Sequence, residues 1–155
     1  MRKRNRARSS SLFLLELIIA ILFFSVASAV CVQFFVKSHT MSGQAQEMNF
    51  AANECSSVAE IVQASESEKE IVSQVRSIYP DVVVNTKGES TILNIFFDDS
   101  FNAASSSEAD TAYMISADFA NENGLIDCHI SAEKLKTAQG GDNIYELEVK
   151  HNAQK

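Results

Sequence analysis

Residues 12–36 read LFLLELIIAILFFSVASAVCVQFFV, twenty-five residues with a single charged side chain, Glu16. As an α-helix they rise about 37 Å, enough to cross a hydrocarbon core of about 30 Å. A core helix of a soluble domain would carry a polar face. Here only Glu16, Gln33 and two serines, Ser25 and Ser28, interrupt the apolar surface. The flanks differ sharply in charge. Residues 1–11 hold five cations (Arg2, Lys3, Arg4, Arg6, Arg8) and no acid, whereas residues 37–155 hold eight basic and nineteen acidic side chains, a balance of −11. The overall charge of −7 therefore describes no part of the 155-residue chain. Cations before the span place the N-terminus in the cytoplasm and residues 37–155 on the far side of the membrane. A 46% hydrophobic share excludes a disordered chain, and five glycines with one proline exclude a collagen-like or linker protein. The length allows one domain with an appendage.

Two other processing routes use the same residues. Ala27-Ser28-Ala29 offers a signal-peptidase site after the apolar stretch 12–24, and a cut after Ala29 would make a secreted protein. A lipoprotein would be cut before Cys31, where Val30 is a poor preceding residue. Against simple secretion, the apolar run continues through Val30, Val32, Phe34, Phe35 and Val36, and Glu16 interrupts the signal core.

The placing of Glu16 is the most specific feature. A basic leader ending in Ser11, followed by Leu12-Phe13-Leu14-Leu15-Glu16-Leu17-Ile18-Ile19-Ala20, resembles the N-terminus of type IV pilins and of the pseudopilins of type II secretion. The resemblance implies a prepilin peptidase-type enzyme cutting between Ser11 and Leu12, with methylation of the new amine. It also implies a glutamate at the fifth mature position, Glu16, that sets the register between subunits. Ser11 stands where that family usually has glycine, Leu12 where it commonly has phenylalanine, and no helix-kinking proline follows. The physical logic is charge pairing. A free amine at Leu12 buried among packed helices needs a neighbour's carboxylate, because an isolated buried charge of either sign is strongly disfavoured. Polar pairing and close packing give specificity in lipid, where apolar surface drives no lateral association. The implied partners are the membrane, like subunits through the 12–36 helix, and the peptidase.

Beyond Val36, the residues Met41, Ala45, Met48, Ala52, Cys55, Ala59 and Val62 recur at spacings of four and three, widened by Val58 and Ile61. That is one helix face. Gly43 is the weakest point, costing about 1 kcal/mol relative to Ala. One helix over residues 12–64 is expected, its first part in the membrane (12–36) and its second an amphipathic stem (37–64). Residues 65–155 form an extracytoplasmic α+β head: a second short helix over 65–78, stopped by Pro80, and then strands. Residues 91–97, 112–119, 124–132 and 143–149 alternate, with a short edge strand over 82–84 and a hairpin signal at Asn123-Gly124. The fold expected is a long N-terminal helix packed on an antiparallel sheet of three to five strands, a pilin-like architecture.

No constellation for chemistry emerges. Residues 98–110 (DDSFNAASSSEAD) read as a solvated loop, with a weak cation site at Asp98, Asp99, Glu108 and Asp110 as the alternative. Gln139-Gly140-Gly141-Asp142 reads as a turn. His39, His129 and His151 lack metal-ligand spacing, and no nucleophile elbow, zinc-protease helix or nucleotide fingerprint occurs. Neither enzyme activity nor a metal or cofactor is expected, and the acidic exterior argues against direct contact with nucleic acid. Cys31 falls in the span. Cys55 and Cys128 lie on the apolar faces of stem and strand, so a disulfide between them and a pair of buried thiols are both open. The other functional class in view is an anchored extracytoplasmic binding domain, with the helix as a tether and a ligand at the sheet or serine-rich loop.

Overall fold

The computed structural model describes residues 6–88, 90–105, 111–122, 124–135 and 141–152. Residues 1–5 of the leader, Glu108, Asp110, Asn123, Gln139 and Gly140 lie outside the described residues. The chain divides into two compact units, Met1–Gln44 and Ala45–Lys155.

The first helix, α1, runs Arg6–Ala64. It starts six residues before Leu12 because residues 6–11 contain neither proline nor glycine to stop it. It also passes unbroken through Gly43, where one unfavourable residue is too little to end a helix held on both sides. Its membrane-length portion is exposed on every side, from Leu12 to Val36.

In the second unit the last turns of α1 lie on a sheet. Ala51, Cys55, Val58, Ala59, Ile61 and Val62 are buried. Cys55, Val58, Ala59, Ile61 and Val62 are the expected stripe, but its start differs: Ala51 is buried where Ala52, half-buried, was expected, and Met41 and Met48 stay exposed at 58% and 47%. Small residues at Ala51, Cys55 and Ala59 let the helix approach the strands closely. A second helix, α2 (Glu68–Ile78), begins three residues later than the sequence predicts. Ser67 adopts extended dihedrals as N-cap and its hydroxyl accepts from the Glu70 amide, while Glu70 reaches back to the Glu66 amide. Ile71 and Val75 are its buried side, and the chain turns out at Tyr79, ahead of Pro80.

Six strands follow: β1 (Val83–Lys87), β2 (Ser90–Asp98), β3 (Ala103–Ala104), β4 (Thr111–Glu122), β5 (Leu125–Lys134) and β6 (Asp142–Asn152). All pairings are antiparallel, in the order β1-β2-β4-β5-β6, with β3 beside β2. Because β4 occupies one edge of β2 for its whole length, β1 and β3 share the other edge end to end. Alternation in β2 buries Thr91, Leu93, Ile95 and Phe97. The register then builds inward rows across the sheet: Leu93–Ala117–Ile130–Leu147, and Thr91–Phe119–Cys128–Val149. In the first row the small Ala117 sits between the larger Leu93 and Ile130, which leaves room there for the helix. Fully burying each large apolar side chain contributes about 1.5–3 kcal/mol.

Two tight turns need glycine. Gly124, at φ 89°, joins β4 to β5 as the Asn123-Gly124 signal predicts, with Glu122 opposite Leu125 and the Gly124 amide donating to Asn121 Oδ1 at 3.0 Å. Gly88, at φ 66°, makes the same kind of turn between β1 and β2, where Lys87 pairs with Ser90. That glycine accounts for the extension of the edge strand to Lys87.

Of the segment read as a solvated loop, residues 98–104 form a hydrogen-bonded turn and a short strand, and residues 106–110 lie outside the described residues. The Asp98 carboxylate accepts hydrogen bonds from the Ser100 amide (2.9 Å), the Asn102 amide (2.8 Å) and the Asn102 side chain (3.1 Å). The chain thus folds back so that Ala103 and Ala104 pair with Phe97 and Phe96. Phe101 sits at φ 64°, a region costing a non-glycine residue about 1–3 kcal/mol. Its ring stacks on Phe50 at 4.6 Å and lies 5.2 Å from Tyr113, which offsets that strain. The bonds from Asn102 and Ser100 hold the Asp98 carboxyl below its ordinary value of 3.8. A depressed folded-state value gives stability that is present above the unfolded value and lost as pH falls through the folded one. Asp98→Asn should therefore melt below the parent chain near neutral pH, and the gap should close as pH falls through the lowered Asp98 value. Circular dichroism melts from pH 7 to pH 2 read this directly; a gap independent of pH would contradict the carboxylate's role.

Candidate functional site

The polypeptide at the start of α1 is a surface with no place in water. The large apolar side chains from Leu12 through Val36 are exposed, Leu12 by 67%. Soluble proteins rarely show apolar patches beyond a few hundred Å². Among the described residues, one helix is long and apolar enough to cross a membrane. In that helix Leu12 and Glu16 are four residues apart and so one turn apart on a single face. Ser11 and Leu12 both lie inside the helix, so the bond between them is part of a hydrogen-bonded turn. Deeper in the span the Ser25 hydroxyl donates to the Ile21 backbone carbonyl at 2.8 Å. An ionised Glu16 carboxylate only accepts, so the carbonyl four residues back cannot serve it in the same way.

In the head, two stem carboxylates fasten α1 to its neighbours, Glu47 to strands β4 and β5 and Glu54 to Tyr79 at the C-terminal end of α2. Glu47 accepts from the Tyr113 hydroxyl at 3.1 Å and pairs with Lys134, whose ammonium also lies 5.6 Å from the centre of the Tyr113 ring. Glu54 accepts from the Tyr79 hydroxyl. The seven-residue spacing of Glu47 and Glu54, two turns along one border of the stripe, was the available signal. Burial, then the Glu54 hydrogen bond, pushes the Tyr79 phenol up. Burial followed by the Glu47 charge does the same for Tyr113, while the bond to Glu47 raises Lys134. All three shifts keep these protons in place at neutral pH. The Glu47–Lys134 pair is partly exposed and contributes little as an ion pair. The hydrogen bond from the Tyr113 hydroxyl is what makes Glu47 matter, a contribution of about 0.5–1.5 kcal/mol.

Cys55 and Cys128 are both fully buried in the one core between α1 and the sheet, and both stand as free thiols; Cys31 is an exposed free thiol on the span. Burial, with Glu54 nearby, pushes the Cys55 thiol up to about 11. Burial, with Asp118 and Asp127, pushes Cys128 to about 12. Thiols so placed carry almost no thiolate at neutral pH and are poor nucleophiles.

The remaining polar candidates stay apart. His39 lies exposed on α1, His129 faces outward from β5 between Asp118 and Glu148 of the flanking strands, and His151 lies near the end of β6. Among the described residues no group of three or more His, Cys, Asp or Glu is arranged to hold a metal ion. Asp98 spends its carboxylate on its own turn. The cleft between α2 and β1, lined by Glu68, Lys69, Val72, Val84, Thr86 and Thr91, has about 230 Å³, below the roughly 300 Å³ at which small-molecule pockets begin. No family model, curated protein or solved structure matches the chain.

Proposed function

We propose that this chain is a type IV pilin-like or pseudopilin-like single-pass membrane protein, a minor structural subunit of a secretion, adhesion or competence filament. The observation that carries the reading is a carboxylate, Glu16, one turn beyond Leu12 at the start of an apolar helix that is exposed on all sides. The α+β head, with its helix on an antiparallel sheet, supports it. In this account the leader stays in the cytoplasm and the head lies outside. Cleavage before Leu12 frees an amine. On assembly the 12–36 helix leaves lipid for a bundle of like helices, and each Glu16 meets a neighbour's amine. The subunit works by packing and axial extension, with no catalytic step. The N-terminal mass of the chain recovered from membranes tests the proposal, since an anchored binding domain keeps its leader and a secreted form starts at Val30.

A further inference from the structure

The bond assigned to cleavage lies within a continuous helix, since α1 begins at Arg6 and residues 11 and 12 are both helical. A helical peptide bond is a poor substrate for hydrolysis. Its carbonyl is engaged four residues on, and the next turn crowds the face from which water must attack. Some of the helix must therefore open first, and the two sides of the bond are not equally easy to open. On the C-terminal side Leu12, Phe13, Leu14 and Leu15 enter the hydrocarbon, where each freed N–H or C=O costs several kcal/mol. On the N-terminal side the chain is at the aqueous surface, where water takes over those groups.

Two features of the N-terminal side make it weak. Residues 9–11 are three successive serines, a residue type with lower helix propensity than alanine because its hydroxyl competes for backbone groups. Elsewhere in α1 that competition is visible: Ser25, Thr40, Ser56, Ser57 and Ser65 all donate to the carbonyl four residues earlier. Such back-bonding slightly destabilises a helix. Independently, the first turn has no acid, and the leader sequence brings Arg6 and Arg8 to the positive end of the helix dipole.

We propose that Ser9 and Ser10 are positioning residues for processing: they make the last turn before Leu12 a weak one that melts and presents the Ser11–Leu12 bond to a peptidase. The proposal rests on the pilin-like reading above. In the step itself water adds its oxygen to the Ser11 carbonyl carbon and the C–N bond breaks. The Leu12 nitrogen leaves as an ammonium group that has taken up both protons of the water, and Ser11 leaves as a carboxylate. The serines need no contact with the reacting atoms. They take the place of the flexibility that the usual glycine supplies at position 11.

The test is a pulse-chase of the full chain in membranes that contain a prepilin peptidase-type enzyme, reading the loss of residues 1–11. Ser9→Ala/Ser10→Ala strengthens the turn and should slow cleavage about fivefold. Ser9→Gly/Ser10→Gly weakens it further and should speed cleavage by a similar factor. Both pairs lack the hydroxyls, so recognition of serine by the enzyme would slow both alike and overturn the proposal. Unchanged rates in both, with the parent chain cleaved, would overturn it too and leave the pilin-like reading standing. A parent chain that is never shortened would overturn that reading together with the proposal.

Discussion

A Glu16→Val chain is expected to reach the membrane normally and then fail to join assemblies. Removing a carboxylate from the span makes insertion easier, since an acid costs about 2.5–3.5 kcal/mol at the bilayer centre and less near its edge. Assembly reverses the sign. In a bundle of like helices each Leu12 amine would be buried without a counter-charge, and breaking a buried pair by removing one partner costs about 3–5 kcal/mol per contact. That is a loss of more than a hundredfold in association at each interface. Chemical cross-linking in membranes should show the parent chain in high-mass species and the variant as monomer, at equal amounts of inserted protein. Glu16→Asp, which keeps the charge on a shorter side chain, should retain part of the cross-linking. Undisturbed assembly of Glu16→Val would defeat the register mechanism.

The largest loss of stability is expected from Phe119→Ala in the head. Phe119 is 1% exposed, opposite Thr91 and Cys128 on the neighbouring strands. Truncating a buried phenylalanine costs about 3–5 kcal/mol, transfer and cavity together. A domain near 100 residues shifts its melting point by about 4–8 °C per kcal/mol, so the head should melt at least about 12 °C lower. Leu125→Ala is the control, because Leu125 is exposed and a surface substitution stays within about 0.5 kcal/mol. Calorimetry of the full chain in detergent gives both values. A shift of only two or three degrees for Phe119→Ala would mean the core between helix and sheet is not packed as described.

The elements whose pattern is local were legible in the sequence. Alternation in residues 91–97 gave β2, Asn123-Gly124 gave the hairpin of β4 and β5, and the span and stem emerged as the single helix α1. What escaped the sequence depends on partners far along the chain. The stem stripe is periodic from Met41 onward, yet only the part that meets strands is buried, and nothing local marks where the sheet ends. Ala103 and Ala104 have no strand propensity of their own; Asp98 turns the chain back and β2 offers an unoccupied edge. Glu47 and Glu54 read as solvent-facing acids because their partners, Tyr113, Lys134 and Tyr79, are 25 to 87 residues away. The proposed site, Ser11, Leu12 and Glu16, is read from the sequence because its logic is short-range: one charge, one turn from a bond, at the edge of an apolar span.

The central claim is that this helix is a subunit's assembly element with a freed amine at Leu12, and the mass of the N-terminus tests it most directly. Top-down mass spectrometry of the chain extracted from membranes should find a protein lacking residues 1–11 and beginning at Leu12, with or without one methyl group on the amine. A chain that keeps its first eleven residues, or one that begins at Val30, would contradict the account.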